Sequence, residues 1–167
     1  MADVVSPAVR SRMMSGIRGK DTQPELILRK GLYGRGVRIR LHAASLPGRP
    51  DFVTRKHNAV VFVHGCFWHA HHGCVNFRIP EGNRQFWVDK LHKNEERDNR
   101  AVEKLLAAGW RVAVVWECAT RVNPEAAIDA LYSFMTSGKR FVEIAKDKRC
   151  SHLSVRFRRS TVIEKWH

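Results

Sequence analysis

Residues with metal-binding side chains cluster in one irregular stretch of the sequence. Zinc prefers thiolate and imidazole ligands, and a structural zinc site has four of them in a tetrahedron. The stretch and the end of a later apolar segment supply Cys66, His71, His72, Cys74 and Cys118. We therefore predict a structural zinc site made of the three cysteines and one of the two histidines. Spacing alone leaves the choice between His71 and His72 open. The alternative is that these are ordinary buried thiols and exposed histidines, which leaves their local clustering unexplained.

A second group of residues could hydrolyse a phosphodiester bond. That reaction needs a hard cation, a base that activates water and an acid that protonates the leaving oxygen. Carboxylates suit Mg²⁺, and histidine titrates near neutral pH. Asp51 begins one short predicted strand and His64 ends the next, so adjacent strands could bring both to one edge of a sheet. Further candidates are Glu25, His69 and Asp98. Each of these residues, taken singly, also has a simpler interpretation, such as capping a turn.

Three aromatic residues are candidates for contact with DNA. Phe67 and Trp68 lie inside the Cys/His stretch, and Trp87 lies near the start of a long predicted helix. Proteins that unstack and bend a duplex use large apolar rings as wedges, and this deformation is easiest at a mismatch. The alternative is that the rings cover the zinc site or fill the core.

The order of predicted elements makes an α/β domain with helices packed on a central mixed sheet. A capping-box pattern at 22–25 begins the first helix, which glycines at 34 and 36 end. The remaining pattern predicts strands at 37–41, 51–54, 59–64 and 110–116 and helices at 83–108 and 123–138. We divide the chain into a basic arm at 1–20, a central α/β domain at 21–138 that holds the candidate site residues, and a basic C-terminal tail at 139–167 whose structure the sequence does not predict.

The charge of the chain favours a polyanionic partner. Lys and Arg number 30 against 16 Asp and Glu in 167 residues, which gives a net charge of +14. Nucleic acid is the commonest partner of such a surplus, whereas a solubilising surface or an anionic membrane is the alternative. No apolar run approaches the roughly 20 residues of a membrane span, and the first residues lack the apolar stretch of a signal peptide. We therefore expect a cytoplasmic protein with reduced thiols.

Four sequence motifs together resemble the very-short-patch repair (Vsr) endonucleases. They are SLPGRPDF, VFVHGCFWH, FWVDKLHKNEERD and GWRVAVVWEC, and the similarity spans roughly residues 8 to 120. The resemblance implies a restriction-endonuclease-like fold, one structural Zn²⁺ and a catalytic Mg²⁺. It also implies nicking of the thymine strand at T:G mismatches, which arise when 5-methylcytosine deaminates.

The resemblance assigns roles to the acids and imidazoles residue by residue. Asp51 of RPDF matches the metal-binding aspartate, and His64 matches the active-site histidine. His69 and Asp98 match a catalytic pair in which the imidazole activates water and the carboxylate orients it. Glu25 matches an acidic residue near the metals.

The resemblance also implies an aromatic wedge that enters DNA beside the mismatch. Phe67, Trp68 and Trp87 match its rings, and Met14 is expected to add to it from the arm. We further expect a monomer in the bacterial nucleoid, with the mismatch-repair protein MutL and DNA polymerase I as partners by family resemblance.

This sequence departs from the family pattern at two places. Val63 stands where the family commonly has threonine before the active-site histidine. If that position gives Mg²⁺ only its backbone carbonyl, valine changes little. If the threonine hydroxyl takes part in the reaction, its loss in this chain lowers the rate. The stretch HAHHGC contains Gly73 as an extra residue, which blurs the choice between His71 and His72.

Two other functions stay open on the sequence alone. One is a zinc-stabilised DNA-binding module without catalysis. The other is a restriction-type nuclease that cuts perfectly paired DNA.

Overall fold

In the computed structural model of the protein, residues 19–147 and 152–157 are described. Met14, most of the predicted arm and the end of the predicted tail lie outside the described residues.

The described chain contains four helices and six strands. The helices are α1 (Gln23–Gly34), α2 (Arg84–Ala107), α3 (Glu117–Val122) and α4 (Pro124–Thr136). The strands are β1 (Arg40–Leu41), β2 (Phe52–Thr54), β3 (Ala59–His64), β4 (Arg111–Trp116), β5 (Phe141–Lys146) and β6 (Leu153–Arg156). No helix among the described residues is long and apolar enough to cross a membrane.

The six strands form one mixed sheet in the order in which they occur along the chain. Strands β1, β2 and β3 pair antiparallel, β3, β4 and β5 pair parallel, and β6 closes the far edge antiparallel to β5. The parallel centre needs crossover connections, which α2 provides between β3 and β4 and α4 between β4 and β5. The predicted α/β class with a central mixed sheet is confirmed.

Helices cover both faces of this sheet. On β3, Ala59 and Val61 belong to one buried cluster with α1 and α4, whereas Val60 and Phe62 belong to a second cluster with α2. A strand points successive side chains to opposite faces, so burial of both faces explains the unbroken apolar run of β3. The catalytic candidates therefore lie on elements anchored in two cores.

The sequence predictions for strands fail at the two edges of the sheet. The strand predicted at 37–41 pairs only at Arg40–Leu41, because its partner β2 is three residues long. Beyond residue 138, Phe141–Lys146 and Leu153–Arg156 add two strands that the sequence did not predict. The short helix α3 was also not predicted.

The turn before Asp51 requires glycine at position 48. Gly48 has a φ of +72°, and a Cβ there would lie 2.6 Å from Cβ of Ala101 on α2 and 3.1 Å from the Phe62 ring. Backbone conformation and close packing both exclude a larger residue. Gly48 thus lets the turn pack closely against α2, and this packing fixes the position of Asp51 at the start of β2.

Candidate active site and Cys/His cluster

Four of the predicted zinc-binding residues come together in space. Sγ or ring nitrogen atoms of Cys66, His71, Cys74 and Cys118 all lie within 4.8 Å of one another. The Nδ1 atom of His71 is 3.4 Å from Sγ of Cys66 and 3.5 Å from Sγ of Cys118. Zinc–sulfur and zinc–nitrogen bonds in a tetrahedron set these ligand atoms about 3.5 Å apart. The cluster therefore has the composition and spacing of a closed four-ligand site.

The thiols of this cluster differ in acidity. Hydrogen bonds from Cys66, His71 and the Lys146 backbone N–H lower the pKa of Cys118 to about 4. The hydrogen bond with Cys118 and burial raise the pKa of Cys66. A divalent ion at this cluster would favour the ionised form of both thiols.

His72 lies outside this four-residue cluster. Its Nε2 atom is 3.6 Å from Oε1 of Glu95 on α2, and its ring packs edge-on against Phe77 at 5.3 Å between centroids. The geometry thus groups His71, and not His72, with the three cysteines.

Asp51 and His64 reach the same edge of the sheet, as the strand order predicts. Phe52 pairs with Val61 in the antiparallel β2–β3 ladder, so the start of β2 lies beside the end of β3. The backbone N–H of Val63 donates to Oδ2 of Asp51 at 2.7 Å. This bond fixes the carboxylate on the strand end that carries His64.

His69 and Asp98 form a hydrogen-bonded pair next to His64. Nδ1 of His69 lies 2.5 Å from Oδ2 of Asp98. The His69 and His64 rings stack in parallel, with centroids 3.9 Å apart and an interplanar angle of 3°. Asp98 comes from α2 and His69 from the loop after β3, so tertiary structure alone brings the pair together. The arrangement can orient one imidazole and hold it by its Nδ1 atom.

The surroundings shift the pKa of these groups in distinct directions. Burial raises the pKa of Asp51 to about 6, and the nearby Glu25 carboxylate adds to the shift. Burial lowers the pKa of His64 well below its usual value. Burial also acts to raise the pKa of Asp98, but the His69 hydrogen bond and nearby positive charge outweigh it and lower the value. Neutral His64 therefore lies beside ionised Asp98 at neutral pH.

Glu25 lies at the start of α1, and its carboxylate accepts hydrogen bonds from neighbouring residues. Although the residue is only 5% exposed, its oxygens accept hydrogen bonds from the Asp21 N–H, the Thr22 N–H and the Thr22 hydroxyl at 3.0, 3.4 and 2.7 Å. The predicted capping pattern thus positions an acid that can act on Asp51 electrostatically. Together with His42, Asp21 and Glu25 form a further group whose ligand atoms lie within 4.8 Å.

One cleft of about 750 Å³ contains the catalytic candidates. Its walls include Glu25, Asp51, His64, His69 and Asp98, together with the Val63 backbone position and Trp68. The side chain of Val63 packs against the core on the α1 side. The structure thus brings together five acids and imidazoles that lie up to 73 residues apart, from Glu25 to Asp98.

The three aromatic candidates form one cluster, of which Trp68 lines this cleft. Ring centroids are 5.0 Å apart for Phe67 and Trp68, 5.4 Å for Phe67 and Trp87, and 6.1 Å for Trp68 and Trp87. Phe67 and Trp68 are partly exposed, whereas Trp87 is only 8% exposed. Trp87 is therefore the buried ring of the cluster, and the two partly exposed rings pack against it.

Comparison with known proteins gives the family of the chain. Residues 2–75 match the family model described as DNA mismatch endonuclease Vsr. The chain is 47% identical over 131 residues to "DNA mismatch endonuclease Vsr" of Escherichia coli (strain K12), which covers 78% of this chain and 83% of that protein. The chain belongs to the Vsr family of DNA mismatch endonucleases.

Other relatives of the chain are named as nicking enzymes. The chain is 46% identical to "Type II nicking enzyme V.XorIIP" of Xanthomonas oryzae pv. oryzae over 71% of this chain and 86% of that protein. It is 42% identical to "Type II nicking enzyme V.NmeAIP" of Neisseria meningitidis over 71% and 84%. This Vsr-family protein is an endonuclease that acts on DNA.

Three residues of this Vsr-family site were missed by the sequence predictions. Glu117, at the start of α3, accepts the Cys66 backbone N–H at 3.1 Å and pairs with Arg121 at 2.7 Å. Phe86 is 50% exposed and packs edge-on against Trp87. Trp116 stacks on His71. The sequence predicted Trp116 at the end of a buried strand, which is confirmed, but no local signal identifies its contact with His71.

Proposed function

We propose that this Vsr-family endonuclease nicks one strand of duplex DNA at a T:G mismatch, with Mg²⁺ as its catalytic ion. The observation that carries the proposal is the His69–Asp98 pair stacked on His64 in the same cleft as Asp51 and Glu25. Hydrolysis of one phosphodiester bond would leave a nick from which very-short-patch repair of deaminated 5-methylcytosine begins.

The cleft fits a hard divalent cation. The pKa of Asp51 is raised to about 6, first by burial and then by the nearby Glu25 charge, so a second positive charge would favour its ionised form. Asp51 and the backbone carbonyl of Val63 would hold Mg²⁺, with Glu25 nearby. Bound there, Mg²⁺ would neutralise the charge that develops on the phosphate oxygens. If position 63 offers Mg²⁺ only its backbone carbonyl, valine in place of the family's threonine would leave that ligand unchanged.

His69 is the proposed general base. Its Nδ1–H donates to Asp98, which leaves Nε2 to take a proton from the attacking water. The water oxygen then bonds to phosphorus, and the bond from phosphorus to the leaving oxygen breaks. The leaving oxygen takes a proton from a solvent water, and the proton held by His69 returns to solvent. Asp98 keeps the imidazole oriented and stabilises it while it carries the proton. His64, buried and neutral, packs against His69 and limits its movement.

The Cys/His cluster and the aromatic cluster complete the proposal. Zn²⁺ held by Cys66, His71, Cys74 and Cys118 would fix the loop that carries His69 to α3. Phe67 and Trp68, supported by Trp87, would enter the base stack beside the mismatch, where unstacking is easiest, and Met14 would add from the arm.

Several wider expectations go with this function. The fold would be restriction-endonuclease-like, with an arm at 1–20 and a tail that follows the endonuclease domain. We expect a monomer in the bacterial cytoplasm, associated with the nucleoid. MutL and DNA polymerase I are proposed partners on the family resemblance alone.

A strand-resolved nicking assay tests the proposed substrate. Duplexes that differ only in one pair, T:G or C:G, are labelled on both strands, placed in several flanking sequences and incubated with and without Mg²⁺. We expect nicks only in the thymine strand of T:G duplexes and only with Mg²⁺. Equal cutting of C:G duplexes would instead support a restriction-type nuclease, and cutting without any divalent ion would contradict the proposed cofactor.

A further inference from the structure

Trp116 lies between the Cys/His cluster and the catalytic histidines. It ends β4 and pairs in register with His64, the last residue of the neighbouring parallel strand β3. Neighbours in a parallel ladder point to the same face, so both side chains enter the layer between the sheet and α2. Trp116 is 7% exposed, and its ring is buried in this layer.

The indole ring contacts both imidazoles. The His71 ring stacks on it with centroids 4.1 Å apart and an interplanar angle of 9°. The His64 ring meets it edge-on, at 5.3 Å and 74°. His64 in turn stacks on His69, so rings form a continuous contact from the Cys/His cluster to the Asp98 pair.

A hydrogen bond from a third strand fixes the ring. Nε1–H of Trp116 donates to Oε1 of Glu143 at 2.7 Å. Glu143 lies on β5, where it pairs with Val114. A buried indole N–H can only donate, and the torsion that turns the ring is otherwise broad. The bond therefore holds the ring at one rotation and also explains a charged residue within β5.

We propose that Trp116, held by Glu143, is a positioning residue that fixes His64 in the catalytic cleft and His71 in the Cys/His cluster. The His64 half of this inference rests on the proposed function, whereas the His71 half does not need it. Groups that orient the ligands of a metal or the residues of an active site typically change affinity or activity about 10–100-fold when removed.

Two substitutions at Glu143 separate the hydrogen bond from simple packing. Glu143→Gln keeps an acceptor oxygen and nearly the same volume, whereas Glu143→Leu removes the acceptor. Each variant is measured for zinc release to a chromophoric chelator, for the single-turnover nicking rate at saturating T:G duplex, and for duplex Kd. Urea unfolding of the same proteins reports loss of overall stability.

We expect Glu143→Leu to release zinc about 10-fold faster and to nick about 10-fold more slowly, with an unchanged Kd for DNA. Glu143→Gln should match the wild-type protein in all three measurements. Wild-type behaviour of Glu143→Leu, or equal damage by both substitutions, would overturn the inference. A change confined to the urea midpoint would overturn it as well.

A second variant covers the case in which Glu143→Leu does not fold. Trp116→Phe keeps an aromatic ring but has no N–H, so we expect the same direction of change in zinc release and nicking rate. Wild-type values for both would overturn the proposal. If the wild-type protein nicks no T:G duplex, the proposed function fails, but the zinc-release comparison still decides whether Trp116 positions His71. A wild-type protein that holds no zinc would overturn that part.

Discussion

Asp51 is an acid whose surroundings oppose its ionisation. It lies in a cleft with Glu25, and burial together with that neighbouring charge raises its pKa from 3.8 to about 6. The Val63 N–H stabilises the carboxylate but does not cancel this effect. A cation bound next to Asp51 would favour its ionised form, because the positive charge offsets the unfavourable effect of burial and of Glu25.

This shift predicts a pH-dependent effect of Asp51→Asn on stability. The folded protein binds the Asp51 proton more tightly than the unfolded chain, so ionisation destabilises the fold as pH rises from about 4 to about 6. In Mg²⁺-free buffer, Asp51→Asn should raise the free energy of unfolding at pH 8 by about 1–3 kcal/mol and change it little at pH 4. Urea titrations at the two pH values measure the difference. An equal effect at both pH values would contradict the assigned environment of Asp51.

Added Mg²⁺ should reverse this difference. Mg²⁺ that binds the folded wild-type protein raises its free energy of unfolding at pH 8. Asp51→Asn lacks the carboxylate, so Mg²⁺ should raise its free energy of unfolding less. Thermal unfolding with increasing Mg²⁺ makes the comparison, and equal gains in Tm would place the ion away from Asp51.

At the scale of the elements, the turn at 45–50 is what delivers Asp51 to the sheet. Gly48 combines a positive φ with a close approach to Ala101 on α2, so the turn has a single way to pack. Movement of this turn would shift the start of β2 relative to His64 on β3.

Gly48→Ala is therefore expected to destabilise the fold by about 2–4 kcal/mol, since it adds conformational strain and an overpacked methyl group. Gly109→Ala is the matched control, because Gly109 has a φ of +86° but no atom near the added Cβ. Gly109→Ala should lower the free energy of unfolding only by the conformational strain of a positive φ, about 1–2 kcal/mol. Urea unfolding of both variants measures the packing contribution. Equal losses would show that contact between the turn and α2 contributes nothing.

The elements with strong apolar patterns could be predicted from the sequence. The run in β3 and the glycines and capping residues around the helices predicted those segments correctly. Strand β5 could not be predicted, because Glu143 interrupts its apolar pattern. The acceptor role of Glu143 toward the Trp116 indole depends on tertiary structure. The choice of His71 over His72 in the Cys/His cluster likewise depends on a loop conformation that spacing does not determine.

At the scale of the whole molecule, the net charge of +14 predicts how the protein holds its substrate. Basic groups that neutralise phosphates release counterions from DNA, and this contribution does not depend on sequence. The aromatic cluster, in contrast, would distinguish a mismatch through unstacking, which is not an ionic interaction.

Binding and discrimination should therefore respond differently to salt. Between about 50 and about 200 mM salt, affinity for any duplex should fall about 10³-fold or more if six or more phosphates are contacted. The ratio of T:G to C:G affinities should stay nearly constant. Fluorescence anisotropy at several salt concentrations, without Mg²⁺ so that DNA stays intact, provides both quantities. A ratio that collapses with salt would assign discrimination to charge rather than to the rings.

The central claim is that the cleft with Asp51, His64, His69 and Asp98 cuts DNA at the mismatch. Its most direct test is the single-turnover nicking rate of Asp51→Asn at saturating T:G duplex in Mg²⁺, with duplex Kd measured separately. Asp129→Asn is the control, because it makes the same change of charge at an exposed position on α4. We predict a rate about 100-fold or more below wild type for Asp51→Asn, with DNA still bound, and a wild-type rate for Asp129→Asn. A wild-type nicking rate in Asp51→Asn would contradict the account and place the catalytic site elsewhere.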